Sequence, residues 1–114
     1  MSGRKSKQKG KRGEREVATM LRAIFPEAKR GIQSRGGGAE IADVEIPAFH
    51  IEVKLQAKPN IRAALRQAVA EAAPGKHPVA FTRADRDDWV VSMRGEDWLE
   101  LVGQWWAETG GRAA

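Results

Sequence analysis

Three features of this 114-residue chain predict an α/β or α+β sandwich, with a mixed central β-sheet flanked by helices. Two short runs, IADVEI and FHIEVKL, alternate apolar and polar residues on either side of Pro47-Ala48. Three longer segments repeat apolar residues at spacings of three and four. Between the second and third of these lie two more short apolar runs; with a short strand over 28–33 before the first pair, the expected order is αβββαββα.

Taken in turn, the first helix is expected over residues 14–25. Val17, Met20, Leu21, Ile24 and Phe25 form its apolar stripe, and Pro26 ends it. On that wheel Glu14 falls at the edge of the buried face and Arg15 points away. A short strand over 28–33 leads into Ser34-Arg35-Gly36-Gly37-Gly38, a loop whose backbone can approach a ligand closely. The alternating runs then pair as a hairpin. In the first, Ala42, Val44 and Ile46 share a face opposite Asp43 and Glu45. In the second, Phe49, Ile51, Val53 and Leu55 oppose His50, Glu52 and Lys54. Pairing symmetric about Pro47-Ala48 sets residue i against residue 95 − i, which puts Asp43 across from Glu52. Pro59-Asn60 opens a second helix along Ile61, Ala64, Leu65, Ala68, Val69 and Ala72, and Pro74-Gly75 stops it. Strands over 78–82 and 89–93 follow. A last helix begins near Gly95-Glu96-Asp97, with Trp98, Leu99, Leu101, Val102, Trp105 and Trp106 apolar over a wide arc.

Composition narrows the class. The chain has no cysteine, so disulfide frameworks and zinc–thiolate sites are excluded. No apolar run has the length of a membrane span, and no signal-peptide segment follows the basic start, so a soluble cytoplasmic protein without membrane partners is expected. The net charge of +5 is unevenly placed. Residues 1–12 carry Arg4, Lys5, Lys7, Lys9, Lys11 and Arg12 and no acid, so they read as a disordered basic arm able to neutralise phosphates. Residues 13–109 read as a single domain and 110–114 as a frayed tail. The triple glycine lacks the lysine and following helix of a nucleotide loop, so no nucleotide cofactor is expected.

Asp43 followed by Glu52-Val53-Lys54 is the arrangement with the most chemical content. Like charges set directly across a strand pair repel, so a cation should sit between them. Two carboxylates and an ammonium can hold a divalent ion and aim a water at a phosphodiester. The bland reading of the same residues is a solvated strand face.

On these residues the chain resembles the PD-(D/E)xK nucleases, and among them the archaeal-type Holliday junction resolvases. Lys9-Gly10-Lys11-Arg12-Gly13-Glu14-Arg15-Glu16 is similar to that group's opening signature. Arg30 with Ser34, then Asp43, then Ile51-Glu52-Val53-Lys54 follow in the family's order. The resemblance spans roughly residues 9–70. It implies a restriction-endonuclease-like fold and a Mg²⁺- or Mn²⁺-dependent endodeoxyribonuclease acting on branched DNA, with one or two ions per site. Asp43, Glu52 and Glu14 would hold the metal, Lys54 would orient the attacking water, and Ser34 would lie near the scissile group. Arg15, Arg30, Arg35 and the basic arm would bind DNA. Symmetric cutting of two strands implies a homodimer. The small size suits a prokaryotic or phage enzyme of DNA recombination or repair. Ala42 stands where the superfamily often has proline, and the interval from Asp43 to Glu52 is shorter than in the archaeal enzymes. The alternatives are a nuclease of the same fold without junction preference and a non-catalytic nucleic-acid-binding module.

Overall fold

The computed structural model describes residues 2–31 and 42–111, the side chains of residues 2–4 and 6 excepted. In chain order the elements are α1 (Ser2–Leu21), β1 (Lys29–Arg30), β2 (Val44–Ile46), β3 (Phe49–Leu55), α2 (Ile61–Glu71), β4 (His77–Arg83), β5 (Val90–Met93) and α3 (Gly95–Glu108). The fold is α+β. Its five strands form one sheet in the order β1-β2-β3-β4-β5, antiparallel throughout except for the parallel pair β3–β4 that α2 connects.

The hairpin has the register expected from the alternation, with Val44 opposite Ile51, Glu45 opposite His50 and Ile46 opposite Phe49. Pro47 fixes its own φ near −65°, and Ala48 takes φ +69°, a left-handed conformation that normally goes to glycine or asparagine. The two-residue turn therefore closes without shifting the pairing, and Ala48 carries the local strain.

The sheet is covered on both sides. Ile51, Val53, Val79 and Phe81 face α1, where Val17 and Ala18 complete a core with Ala28, Val44 and Ile46. Gly13 is the point of closest approach. A Cβ there would lie 2.9 Å from Leu55 Cβ and 3.4 Å from Val53 Cγ1. On the other face, α2 lays its buried Ala64 and Ala68 over β3 and β4, beside the buried His50, Glu52, Ala80 and Thr82. Asn60 caps α2, its Oδ1 accepting from the Ala63 N–H at 3.0 Å.

Several expectations need correction. Residues 2–12 form the first turns of α1 rather than a disordered arm. Lysine, arginine and glutamine are good helix formers. The helix is also tethered, with Lys9 Nζ 2.8 Å from Asp85 Oδ2 and Arg12 Nη2 3.6 Å from Asp85 Oδ1. α1 ends at Leu21, four residues short of Phe25, and passes into turns before Ala28. Met20 and Ile24 are exposed, and Gly13, Val17, Ala18 and Leu21 make the contact with the sheet. The first strand is only Lys29–Arg30 within the described residues, and Gln33 lies outside them. At the other end, Gly110 and Gly111 continue in a turn beyond α3, both with positive φ.

Candidate functional site

Asp43 immediately precedes β2, where β1, β2 and β3 lie under the middle of α1. Its backbone N–H donates to the Ile51 carbonyl at 2.9 Å, and its Oδ2 accepts from the Val53 N–H at 2.8 Å. The carboxylate is thus fixed from the neighbouring strand, leaving the other oxygen for a ligand. The strand pairing begins one residue later, at Val44 opposite Ile51, so Asp43 lies just outside the ladder rather than directly paired with Glu52 as the alternation predicts.

A cleft of about 490 Å³ opens over Asp43, with Lys9, Gly10, Glu14, Lys54 and Gln56 in its walls. A second hollow of about 560 Å³ adjoins it, lined by Lys7, Lys11, Glu14, Arg30 and Asp43. Glu14 comes from α1 and lies partly buried. Its Oε1 accepts from Arg30 Nε at 3.1 Å. Burial pushes the Glu14 carboxyl above its ordinary value, the Arg30 bond pulls it down, and the Asp43 charge adds to the upward push. Lys54 is close enough to act in the opposite direction.

Glu52 is in different surroundings. It is 1 % exposed, and its Oε1 lies 3.3 Å from His50 Nε2. Its Oε2 is buried and has no hydrogen-bond partner. Burial, the neighbouring Glu71 and then Asp43 push its carboxyl up to about 9. Solvation of this strand face is therefore excluded at Glu52, because α2 covers it. The three acids expected to share one ion do not form a single tight group. Asp43 interacts with Glu14 on the cleft side and with Glu52 on the buried side. The His/Asp/Glu groups whose ligand atoms all fall within 4.8 Å of one another, among the described residues, are His50–Glu52–Glu71 and His77–Asp97–Glu100.

A basic surface surrounds the cleft mouth. Lys5, Lys9, Lys11, Arg12 and Arg15 line a trough of about 680 Å³ along α1. Lys7 and Lys11 also border the hollow over Glu14. Arg15 is exposed, as its place on the helical wheel implies, whereas Arg30 is engaged by Glu14. Arg4 lies on the first turn of α1. Ser34 and Arg35 lie outside the described residues.

Sequence reasoning missed Glu71 and the part taken by His50. Glu71 sits at the last turn of α2 with Oε1 3.9 Å from His50 Nε2, and Gln67 Nε2 donates to its Oε2 at 3.2 Å. The spacing of Gln67 and Glu71 on one helix face was the available signal; nothing in the sequence says that this face meets His50. Glu16 was also passed over. It accepts from Arg83 Nη2 at 3.0 and 3.1 Å and from Trp89 Nε1 at 3.2 Å, tying α1 to the far side of the sheet.

Comparison with protein-family models, curated proteins and solved structures found no match. Among the described residues, no helix is long and apolar enough to cross a membrane.

Proposed function

We propose that this chain is a metal-dependent DNA endonuclease of the PD-(D/E)xK kind, with a restriction-endonuclease-like fold and a Holliday junction resolvase-like preference for branched DNA. The observation that carries the proposal is the position of Asp43. One carboxylate interacts with acids from α1 and β3 and shares an open cleft with Lys54, at the foot of a lysine-rich helix.

The donor set fits a divalent ion. Glu52 has a buried oxygen without a partner, and Asp43 has one oxygen held and one to offer. Because Asp43 meets Glu14 on one side and Glu52 on the other, Mg²⁺ or Mn²⁺ would be held by Asp43 with Glu52, by Asp43 with Glu14, or by both pairs in two positions. Such an ion supplies Lewis acidity and stabilises the charge that develops on phosphorus. The remaining roles belong to the chain. Lys54 lies beside the acids, where its ammonium orients a water or a non-bridging oxygen. Arg30, bonded to Glu14, holds that acid in place and presents its remaining N–H groups to a phosphate. Lys7, Lys9, Lys11, Arg12 and Arg15 neutralise the backbone on either side.

A two-fold dimer accompanies this reading, because paired cuts need paired sites. Its support is the stripe of α3, where Trp98, Leu99, Trp105 and Trp106 are each about half exposed. A surface of that kind suits coverage by a second copy. Sedimentation should then give a dimer that Trp105→Ser reduces to monomer.

Cleavage assays on four-way junction, linear duplex, flap and single-stranded DNA with Mg²⁺ or Mn²⁺ test the function. The expected result is preferential cutting of the junction, abolished by Asp43→Asn. Equal cutting of linear duplex reassigns the chain to a nuclease without junction preference. Binding with no cutting of any substrate reassigns it to a non-catalytic module.

A further inference from the structure

α3 faces the wrong way for a helix that closes its own domain. Its polar edge is the one held to the body of the protein. His77 on β4 meets Asp97 Oδ1 through Nδ1 at 3.1 Å and Glu100 Oε2 through Nε2 at 3.2 Å. Among the described residues of α3, Asp97 alone is buried. Trp98, Leu99, Val102, Trp105 and Trp106 recur at spacings of three, four and seven, so they share one face. On that face Trp98, Leu99, Trp105 and Trp106 are 54 %, 64 %, 51 % and 46 % exposed. A helix normally turns such a face to its own core, and an apolar patch turned outward marks a binding surface.

The same chain carries a surface that matches it. Along the exposed side of α2 runs a groove of about 440 Å³, floored by Leu65, Val69 and Ala70 and rimmed by Arg62, Arg66 and Arg94. Arg94 is held by Asp97 at 2.8 Å. Arg62 and Arg66 are exposed and have no ion-pair partner among the described residues. α3, in contrast, carries Glu96, Asp97, Glu100 and Glu108 and neither lysine nor arginine.

We propose that the apolar face of α3 seats in the α2 groove of a second copy of this chain, and that the exchange is reciprocal. Charge selects this seat. The acids of α3 meet the arginine rim of the groove, whereas two copies of α3 packed on each other would set acids against acids. Contiguity makes it a two-fold arrangement. Arg94 lines the groove and immediately precedes α3, so helix and groove adjoin on one chain, and an axis beside them places each helix in the other's groove. The area is sufficient. With about 100 Å² left exposed on each of the four large side chains, the face offers roughly 400 Å², and two matched seats bury about 1,600 Å² in all, the standard size of a stable interface. Tryptophan anchors in an apolar pocket ringed by arginine are also the residue types that carry most binding energy at interfaces.

The seat rests on the two-fold dimer that accompanies the proposed function and names the surface that receives α3. Its test compares the full-length protein with Arg62→Glu/Arg66→Glu by sedimentation over a concentration series, circular dichroism confirming that the variant folds. The parent should dimerise, and reversing the two exposed charges should weaken the dimer by at least about 10-fold. Because the chain has no cysteine, Leu99→Cys can carry a single benzophenone cross-linker on α3. In a mixture of ¹⁵N-labelled and unlabelled protein, cross-links between copies should map to residues 61–71. Cross-links between copies that map only to α3, or a dimer undiminished in Arg62→Glu/Arg66→Glu, would overturn the seat and leave the dimer standing. A parent that stays monomeric throughout would remove the dimer and the seat together. None of these results bears on whether Asp43 supports cleavage, which the junction assay decides separately.

Discussion

The two faces of β3 are both buried, and they could hardly differ more. Under α1, Ile51 and Val53 pack in one core with Val17 and Ala18, and Gly13 lies against Leu55 and Val53. Under α2, the same strand buries His50 and Glu52 against Glu71, with one carboxylate oxygen left unpartnered. The first face stabilises the fold by apolar contact. The second carries unfavourable electrostatics that an apolar strand would avoid, and a protein keeps such a face where the charge is used. The comparison separates residues that hold the fold together from residues that the proposed function would use, and it can be tested one residue at a time.

The largest expected effect is at Asp43, which adjoins the charged face through Glu52. Under the proposed function Asp43→Asn should reduce cleavage by at least about 100-fold, the size of loss seen when one electrostatic interaction with the transition state is removed. Binding of junction DNA should change little, as a gel-shift titration would read. Full activity in this variant would remove Asp43 from the site.

Glu52→Gln should separate function from stability. The Glu52 carboxyl is pushed up to about 9 from an ordinary 4.5. Between those values the native protein holds a proton that the unfolded chain releases. Metal-free stability must therefore fall as pH rises through that window, since the native state binds more protons there. Glutamine removes the titration. The metal-free variant should melt higher than the parent at pH 8 by a few degrees, lose most of that advantage near pH 4, and fail to cleave DNA. A parent melting temperature that rises from pH 5 to pH 8 without metal would contradict the buried-carboxyl account.

On the apolar face, Gly13→Ala should destabilise despite alanine's better helix propensity. The new methyl would lie 2.9 Å from Leu55 Cβ, and overpacking of this kind costs about 1–3 kcal/mol. Urea denaturation should show a lower midpoint with an unchanged slope. If α1 can rise off the sheet freely, the variant will instead be neutral or more stable.

The smallest effect concerns the basic helix. Replacing Lys7, Lys9 and Lys11 with glutamine should leave the fold intact and flatten the salt dependence of DNA binding, by roughly 0.9 in the log–log slope for each phosphate no longer neutralised. An unchanged slope would mean that these lysines do not face DNA.

How legible all this was in the sequence depends on whether the signal was local. The hairpin register followed from strict alternation around Pro47-Ala48, and α2 began where Pro59-Asn60 says it should. Glu14 came out at the edge of the buried face because one helical stripe fixed its angle. Tertiary packing supplied what was missed. His50-Glu52-Lys54 has the pattern of a solvated face, and only the placement of α2 buries its first two members. Glu71 lies far along the chain from His50, so no spacing rule joins them. The lysine-rich start reads as a solvated tail by composition, yet its straight side chains continue the helix, and Lys9 and Arg12 meet Asp85 beyond β4. Ala48 at positive φ was equally hidden, since alanine gives no sign of a left-handed turn.

The most direct test of the central claim is a single-turnover cleavage assay on a four-way DNA junction, with the parent protein and Asp43→Asn compared in Mg²⁺, in Mn²⁺ and in EDTA. The account predicts paired cuts by the parent in either metal, none in EDTA, and none above background from the variant. Cleavage that persists in EDTA, or that survives in Asp43→Asn at the parental rate, would contradict it.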